Sequence, residues 1–321
     1  MTSRLLSCHP RVATRAALTV NRSRAAHIAV AVLCIASPAS ALAAQRTAAA
    51  GRTLSIIDAH MHAEFSGAKE RTSGIPITRA QLLDEWRRAG VVGAVVHEHT
   101  MNPDRFDFDD PRVIHCAGIA LPVDSVLLSR GLASGRFKCA KIYLGYVHAF
   151  ASDPRYEIVY RIAQQFDVPV VFHTGDTYSA KAKLKFADPL SIDEVAVDHP
   201  GVRFVIAHAG NPWIESAAEV AYKNANVWIE GSAFMIGGAA AFTPAKSAHF
   251  VATPLTWIWK FVDDPSKIIF GTDWPLADVA GYVAAFKMAI PKEHWRAVFH
   301  DNAVKVFKLD TAAMRSVAGR P

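Results

Sequence analysis

The sequence predicts an α/β fold of the TIM (β/α)8-barrel type, and three observations carry the prediction. From Gly51 onward, short β-branched runs alternate with amphipathic helical stretches almost without interruption. Eight of these runs are apolar along most of their length, as parallel strands are when both faces are covered. Residues 54–312 hold all eight units, the size of one such barrel.

The elements follow in order. "LSIIDAH" is the first strand, and "TRAQLLDEWRRAG" is a helix that Gly90 ends, glycine being the residue that most easily takes the left-handed closing conformation. "VVGAVVHEHT" and "VIHCAGIALP" are the second and third strands. A helix from Asp124 to Ala133 precedes "FKCAKIYLGY", the fourth strand, and "YEIVYRIAQQF" is the helix behind it. "VPVVFHTG", "VRFVIAHAG" and "NVWIEGSAF" are strands five to seven, separated by helices in "LSIDEVAVDH" and "IESAAEVAYKN". "KIIFGTDWP" is the eighth strand, and helices over 279–288 and 293–307 close the domain. A doubly wound open sheet is the competing arrangement, but no Gly-x-Gly-x-x-Gly loop follows the first strand.

Residues 1–43 read as a signal peptide. They carry five Arg and no Asp or Glu, then the apolar "AAHIAVAVLCIA", then small residues in "SPASALAAQ". The apolar run is too short for a membrane span. Residues 44–53 read as a linker and 313–321 as a tail. The whole chain has 35 basic and 29 acidic residues; without the leader, 30 remain against 29. No basic surface therefore points to nucleic acid, and no membrane contact is expected of the mature chain. A periplasmic or secreted location is expected. Cys116 and Cys139 lie in apolar strand runs and read as buried thiols, with a disulfide between them left open.

The polar residues cluster where a barrel places its chemistry, at the C-terminal ends of strands. His60 and His62 end the first strand, His173 the fifth, His208 the sixth and Asp273 the eighth; Lys141 lies within the fourth. Strand alternation puts Asp58, His60 and His62 on one face. A single strand-end histidine is more often a hydrogen-bonded structural residue than a ligand. Three imidazoles and a carboxylate suit a hydrolytic zinc-type site with one position open for water, and four strand-end histidines with an aspartate make coincidence improbable. Tyr143 and Trp274 are expected to line a substrate wall, ahead of Tyr146, His148, His97, Glu98, His99 and Trp213. Glu230, a carboxylate in an apolar strand, is expected either to orient a ligand or to pair with a helix charge.

"DAHMH", "VVFHTG", "FVIAHAGNP", "IIFGTDWP" and "HDNAVKVFKL" resemble, in order, the motifs of the amidohydrolase-related (amidohydrolase 2) family of metal-dependent TIM-barrel hydrolases and decarboxylases. The resemblance covers Ile56 to Leu309. It implies that His60, His62, His173 and Asp273 hold one divalent metal, Zn2+ or else Mn2+, with no second ion. His208 is then the catalytic histidine, and Asp273 also accepts the proton of the metal-activated water. Lys141 falls near the lysine that bridges two ions as a carbamate in one branch of the family and stays unmodified in single-metal members.

The function expected is hydrolysis of a small-molecule amide, ester or lactone. The alternative is non-oxidative decarboxylation of a small unsaturated or aromatic acid. That substrate needs a cationic clamp, and no arginine directly follows a catalytic strand, which leaves Arg71 and Arg105 in loops. A non-catalytic exported binding protein is the third reading, and a homo-oligomer is compatible with all three. No Gly-x-Ser-x-Gly elbow supports a serine hydrolase.

Overall fold

A computed structural model of the protein describes residues 54–106, 108–312 and 314. The expected signal peptide and linker lie outside the described residues, as does the tail apart from Met314. The eight strands are β1 (Ile56–Met61), β2 (Val91–His97), β3 (Val113–Ile119), β4 (Phe137–Tyr143), β5 (Val170–His173), β6 (Phe204–Ala207), β7 (Val227–Glu230) and β8 (Ile268–Ile269). They pair in sequence order, and every pairing is parallel. The segment after β8 closes the sheet onto β1: Ala59 N donates to Phe270 O (3.0 Å), Asp273 N to His60 O (2.7 Å) and His62 N to Trp274 O (2.8 Å). The barrel expectation holds.

Helices α1 (Arg79–Ala89), α2 (Ser125–Ala133), α3 (Glu157–Phe166), α4 (Ser191–Asp198), α5 (Ile214–Lys223), α6 (Thr253–Val262), α7 (Val279–Lys287) and α8 (Asn302–Phe307) accompany the strands. Local chemistry sets their ends. Thr78 accepts from Gln81 N at the start of α1, and Gly90 closes it at φ 81°. Helix α6 is not among the elements expected from the sequence; it continues a helical run that starts at Pro244 and passes through a π-helical stretch over Ser247–Ala252, with Pro254 just beyond it.

Two apolar layers result. The larger lies between sheet and helices. The smaller is the barrel's own interior, to which every strand contributes: Ile57, Val95, Cys116, Cys139, Val171, Val205, Trp228 and Ile269, with Ala59 and Ala207 as second residues from β1 and β6. Cys116 and Cys139 are direct cross-strand partners, and the structure joins them as a disulfide rather than leaving two buried thiols. Two residues further along the same faces stand His97, Lys141, His173 and Glu230. The barrel thus changes from apolar to polar within one pleat repeat, and its mouth is where the ionisable groups collect.

Candidate metal centre

His60 and His62 are presented by an irregular strand end. A register shift between Asp58 and Met61 breaks the alternation of β1. Asp58 consequently leaves the face of the two histidines, contrary to simple alternation, and bonds Thr272 instead. His60 is fully buried, and its Nδ1–H donates to Glu230 Oε2 (2.8 Å). The Nδ1–H of His62 donates to His97 O (2.8 Å). Each bond fixes the tautomer that leaves Nε2 with its lone pair free.

Both lone pairs face Asp273. Its Oδ1 lies 3.4 Å from His62 Nε2 and 3.7 Å from His60 Nε2. That oxygen is buried and has no hydrogen-bond partner. The backbone at Asp273 is left-handed, φ 64°, a conformation found sparingly outside glycine and concentrated at functional sites. Three acceptor atoms converge, with Lys141 Nζ, 3.5 Å from His60 Nε2, the donor beside them, an arrangement that suits a cation. His60, His62 and Asp273 form a candidate metal site.

His173 and His208 stand beside this group. His173 Nε2–H donates to Asp176 O (2.9 Å). Ser232 Oγ–H donates to Glu230 Oε2 (2.8 Å) and therefore accepts from His208 Nδ1–H (2.9 Å). These bonds direct the lone pairs of His173 Nδ1 and His208 Nε2 at each other across 3.0 Å. The two nitrogens thus stand at hydrogen-bond distance, with His208 Nε2 beside His173 Nδ1. The His208 ring is 4.6 Å from that of His60 and 4.5 Å from that of His173, so the histidines are contiguous, although His173 stands outside the tight three-residue group.

Burial dominates the electrostatics. It holds His60 and His208 well below the ordinary imidazole value, with nearby Lys141 adding to the effect at both. His173 is brought down to about 3 by burial and then by Lys141. Lys141 is itself fully buried, 3.5 Å from His60 Nε2, and burial lowers its amine to about 7 against the pull of Glu230 and Asp273. Glu230 is raised to about 8 by burial, opposed by its hydrogen bond from Ser232 and by Lys141. It accepts from His60 Nδ1, Ser232 N, Ser232 Oγ and His208 N, and so links two of the histidines. Gly271 makes room for it, since a Cβ there would fall 2.3 Å from Glu230 Oε1.

A cavity of about 530 Å³ opens over His62, His173, His208 and Asp273. Tyr143 lines it, and its hydroxyl donates to Glu98 O (3.1 Å). Trp274 does not. It is fully buried, edge-on to Phe65 in the outer core, where it bridges Met61 just past the left-handed backbone at Asp273. His99 and Tyr146 line the cavity, whereas His97, Glu98, His148 and Trp213 do not. Glu70, Asp176 and Tyr178 line it from loops, and Ser232 sits beneath. Loop residues carry no periodicity, so only Ser232, two residues after Glu230, had a pattern that could have revealed it.

The amidohydrolase family model matches residues 57–309. The chain belongs to the amidohydrolase family. No curated protein matches it in sequence. Among solved structures, this amidohydrolase is similar in fold to an uncharacterized TIM-barrel protein from Bordetella bronchiseptica, at 16% identity and TM-score 0.59 over 82% of this chain and 100% of that one. It is similar to 5-carboxyvanillate decarboxylase from Sphingomonas paucimobilis, at 14% and 0.55 over 80% and 100%. It is also similar to a probable 2-pyrone-4,6-dicarboxylic acid hydrolase from Acinetobacter baumannii, with citric acid bound, at 16% and 0.56 over 79% and 99%. The solved structures it resembles in fold thus include a decarboxylase and a probable hydrolase.

Proposed function

We propose that this amidohydrolase hydrolyses a small uncharged or cationic carbonyl compound: an ester, lactone or amide. One observation carries the reading. The cavity wall holds the carboxylates of Glu70, Asp176 and Asp273, and among the described residues no lysine or arginine lines it. A carboxylate substrate would meet like charge there without a bidentate clamp. His60, His62, His173 and Asp273 would hold one divalent cation, and three imidazoles with a carboxylate suit Zn2+ ahead of Mn2+. When bound, such an ion supplies the charge that lowers the pKa of water from roughly 15.7 to about 7 and polarises a carbonyl. Asp273 takes the proton of the attacking water. His208, its Nδ1–H tied to Ser232, offers Nε2 as the acceptor that orients that water. Tyr143 and Tyr146 supply aromatic surface for the substrate body. Lys141 stays an unmodified amine.

Decarboxylation of an aromatic acid is the second reading, and Arg71 favours it. Its guanidinium lies 5.1 Å above the Tyr178 ring at the cavity mouth. The two are separated by incubating metal-loaded protein with matched lactones, aryl esters and aromatic acids. Acid release without carbon dioxide, abolished by chelation, is the expected result; carbon dioxide release from the acids selects the second reading. We also propose that the mature chain works outside the cytoplasm. The leader composition and the Cys116–Cys139 disulfide support this, because such bonds persist in oxidising compartments.

A further inference from the structure

The geometry points to Asp58 and Thr272 as positioning residues that clamp β1 to the segment after β8 and thereby aim the Asp273 carboxylate at His60 and His62. Both residues are fully buried. Asp58 Oδ1 accepts from Thr272 N (2.9 Å) and from His60 N (3.2 Å), and Asp58 Oδ2 accepts from Thr272 Oγ1–H (2.6 Å). Thr272 Oγ1 in turn accepts from Trp274 N (3.1 Å). The backbone on both sides of Asp273 is therefore held by one carboxylate and one hydroxyl, while Asp273 N donates to His60 O (2.7 Å). A left-handed aspartate persists only where its surroundings over-determine it, and this clamp does so at φ 64°.

The same carboxylate fixes the amide of His60, so one side chain sets the spacing between the first-strand and last-strand members of the ligand group. Asp58 reaches neither the cavity nor Asp273 Oδ1 and acts only through its neighbours. The inference rests on the proposal that His60, His62 and Asp273 bind a metal.

Co2+ titration of the metal-free protein, followed by its visible absorption, tests it. Thr272→Val keeps the shape and removes the hydroxyl; Thr272→Ser restores the hydroxyl; Val205→Ala is a control that loosens the barrel interior away from the clamp. Thr272→Val is expected to bind Co2+ about 10- to 100-fold more weakly, the usual loss when an outer partner of a ligand is removed. Its bound spectrum is expected to differ from wild type, while Thr272→Ser returns both to wild-type values. Asp58→Ala is expected to behave as Thr272→Val does. Wild-type affinity and spectrum in Thr272→Val overturn the inference. So does an equal loss in Val205→Ala, because that traces the effect to general destabilisation. A wild-type protein that takes up no Co2+ overturns the metal proposal itself, and this inference with it.

Discussion

Glu230→Gln is the substitution in which structure and chemistry make the sharpest demand. Every group around the Glu230 carboxylate is a donor, so an amide must turn its NH2 toward one of them. If the amide oxygen stays with His60 and Ser232 Oγ, the NH2 confronts Ser232 N, which donates across 2.6 Å in the wild type. That leaves a buried donor unsatisfied, at a cost of about 1–3 kcal/mol. If the amide flips, it faces His60 Nδ1–H and drives the ring to the other tautomer, which removes the lone pair from Nε2. The first route lowers the melting temperature by about 2–4 °C per kcal/mol in a domain of this size. The second weakens metal binding by about 10- to 100-fold. Competition of the metal-free variant with a chromophoric chelator for Zn2+, beside a thermal melt, registers either route. Wild-type affinity together with a wild-type melt would refute the reasoning, because a glutamine can replace Glu230 silently only if the carboxyl is neutral and already donating a proton.

Three further outcomes are expected. Gly271→Ala pushes a methyl to 2.3 Å from Glu230 Oε1 and 2.9 Å from His60 Cβ; it should lower both the melting temperature and Zn2+ affinity, at about 1–3 kcal/mol of overpacking. His208→Ala should keep most of its metal and lose most turnover, whereas His173→Ala should lose the metal as well, as elemental analysis of the purified variants would show. The metal-free protein should lose stability as pH falls below about 6.5, followed by thermal melts. His60, His97 and His208 sit well below their ordinary value and His173 near 3. Unfolding lets these rings take up protons in the window from 6.5 down toward 3, so their stabilising effect is present above it and lost within it. Asp58 and Glu230, raised to about 7 and about 8, act in the opposite sense there but are outnumbered. A melt that rises between pH 6.5 and 5 would contradict this.

The barrel was legible because alternation of apolar strands and amphipathic helices is a local property repeated eight times. Two of the ligand candidates were legible for a related reason: His173 and Lys141 each sit one pleat repeat beyond an apolar interior residue, Val171 and Cys139. What escaped depends on tertiary detail. The register shift after Asp58 reverses the face of one residue without altering the composition of the strand. Trp274 lies in the outer core rather than the cavity, because the left-handed backbone at Asp273 and the bridge to Met61 redirect it in a way no sequence period shows. The disulfide needed the register of β3 against β4, which no spacing within either strand contains. Glu70 and Tyr178 meet across two loops, 108 residues apart, through one hydrogen bond of 2.7 Å. Helix α6 escaped because it continues from a π-helical stretch over Ser247–Ala252, an irregularity that blurs the 3.6-residue period.

Elemental analysis of wild-type protein and of His60→Ala and Asp273→Asn, each stripped and reloaded with Zn2+, bears most directly on the converging lone pairs. The wild type should retain one ion per chain after dialysis, and both variants should retain almost none. A wild type that retains no metal, or variants that hold it as tightly, would contradict the account.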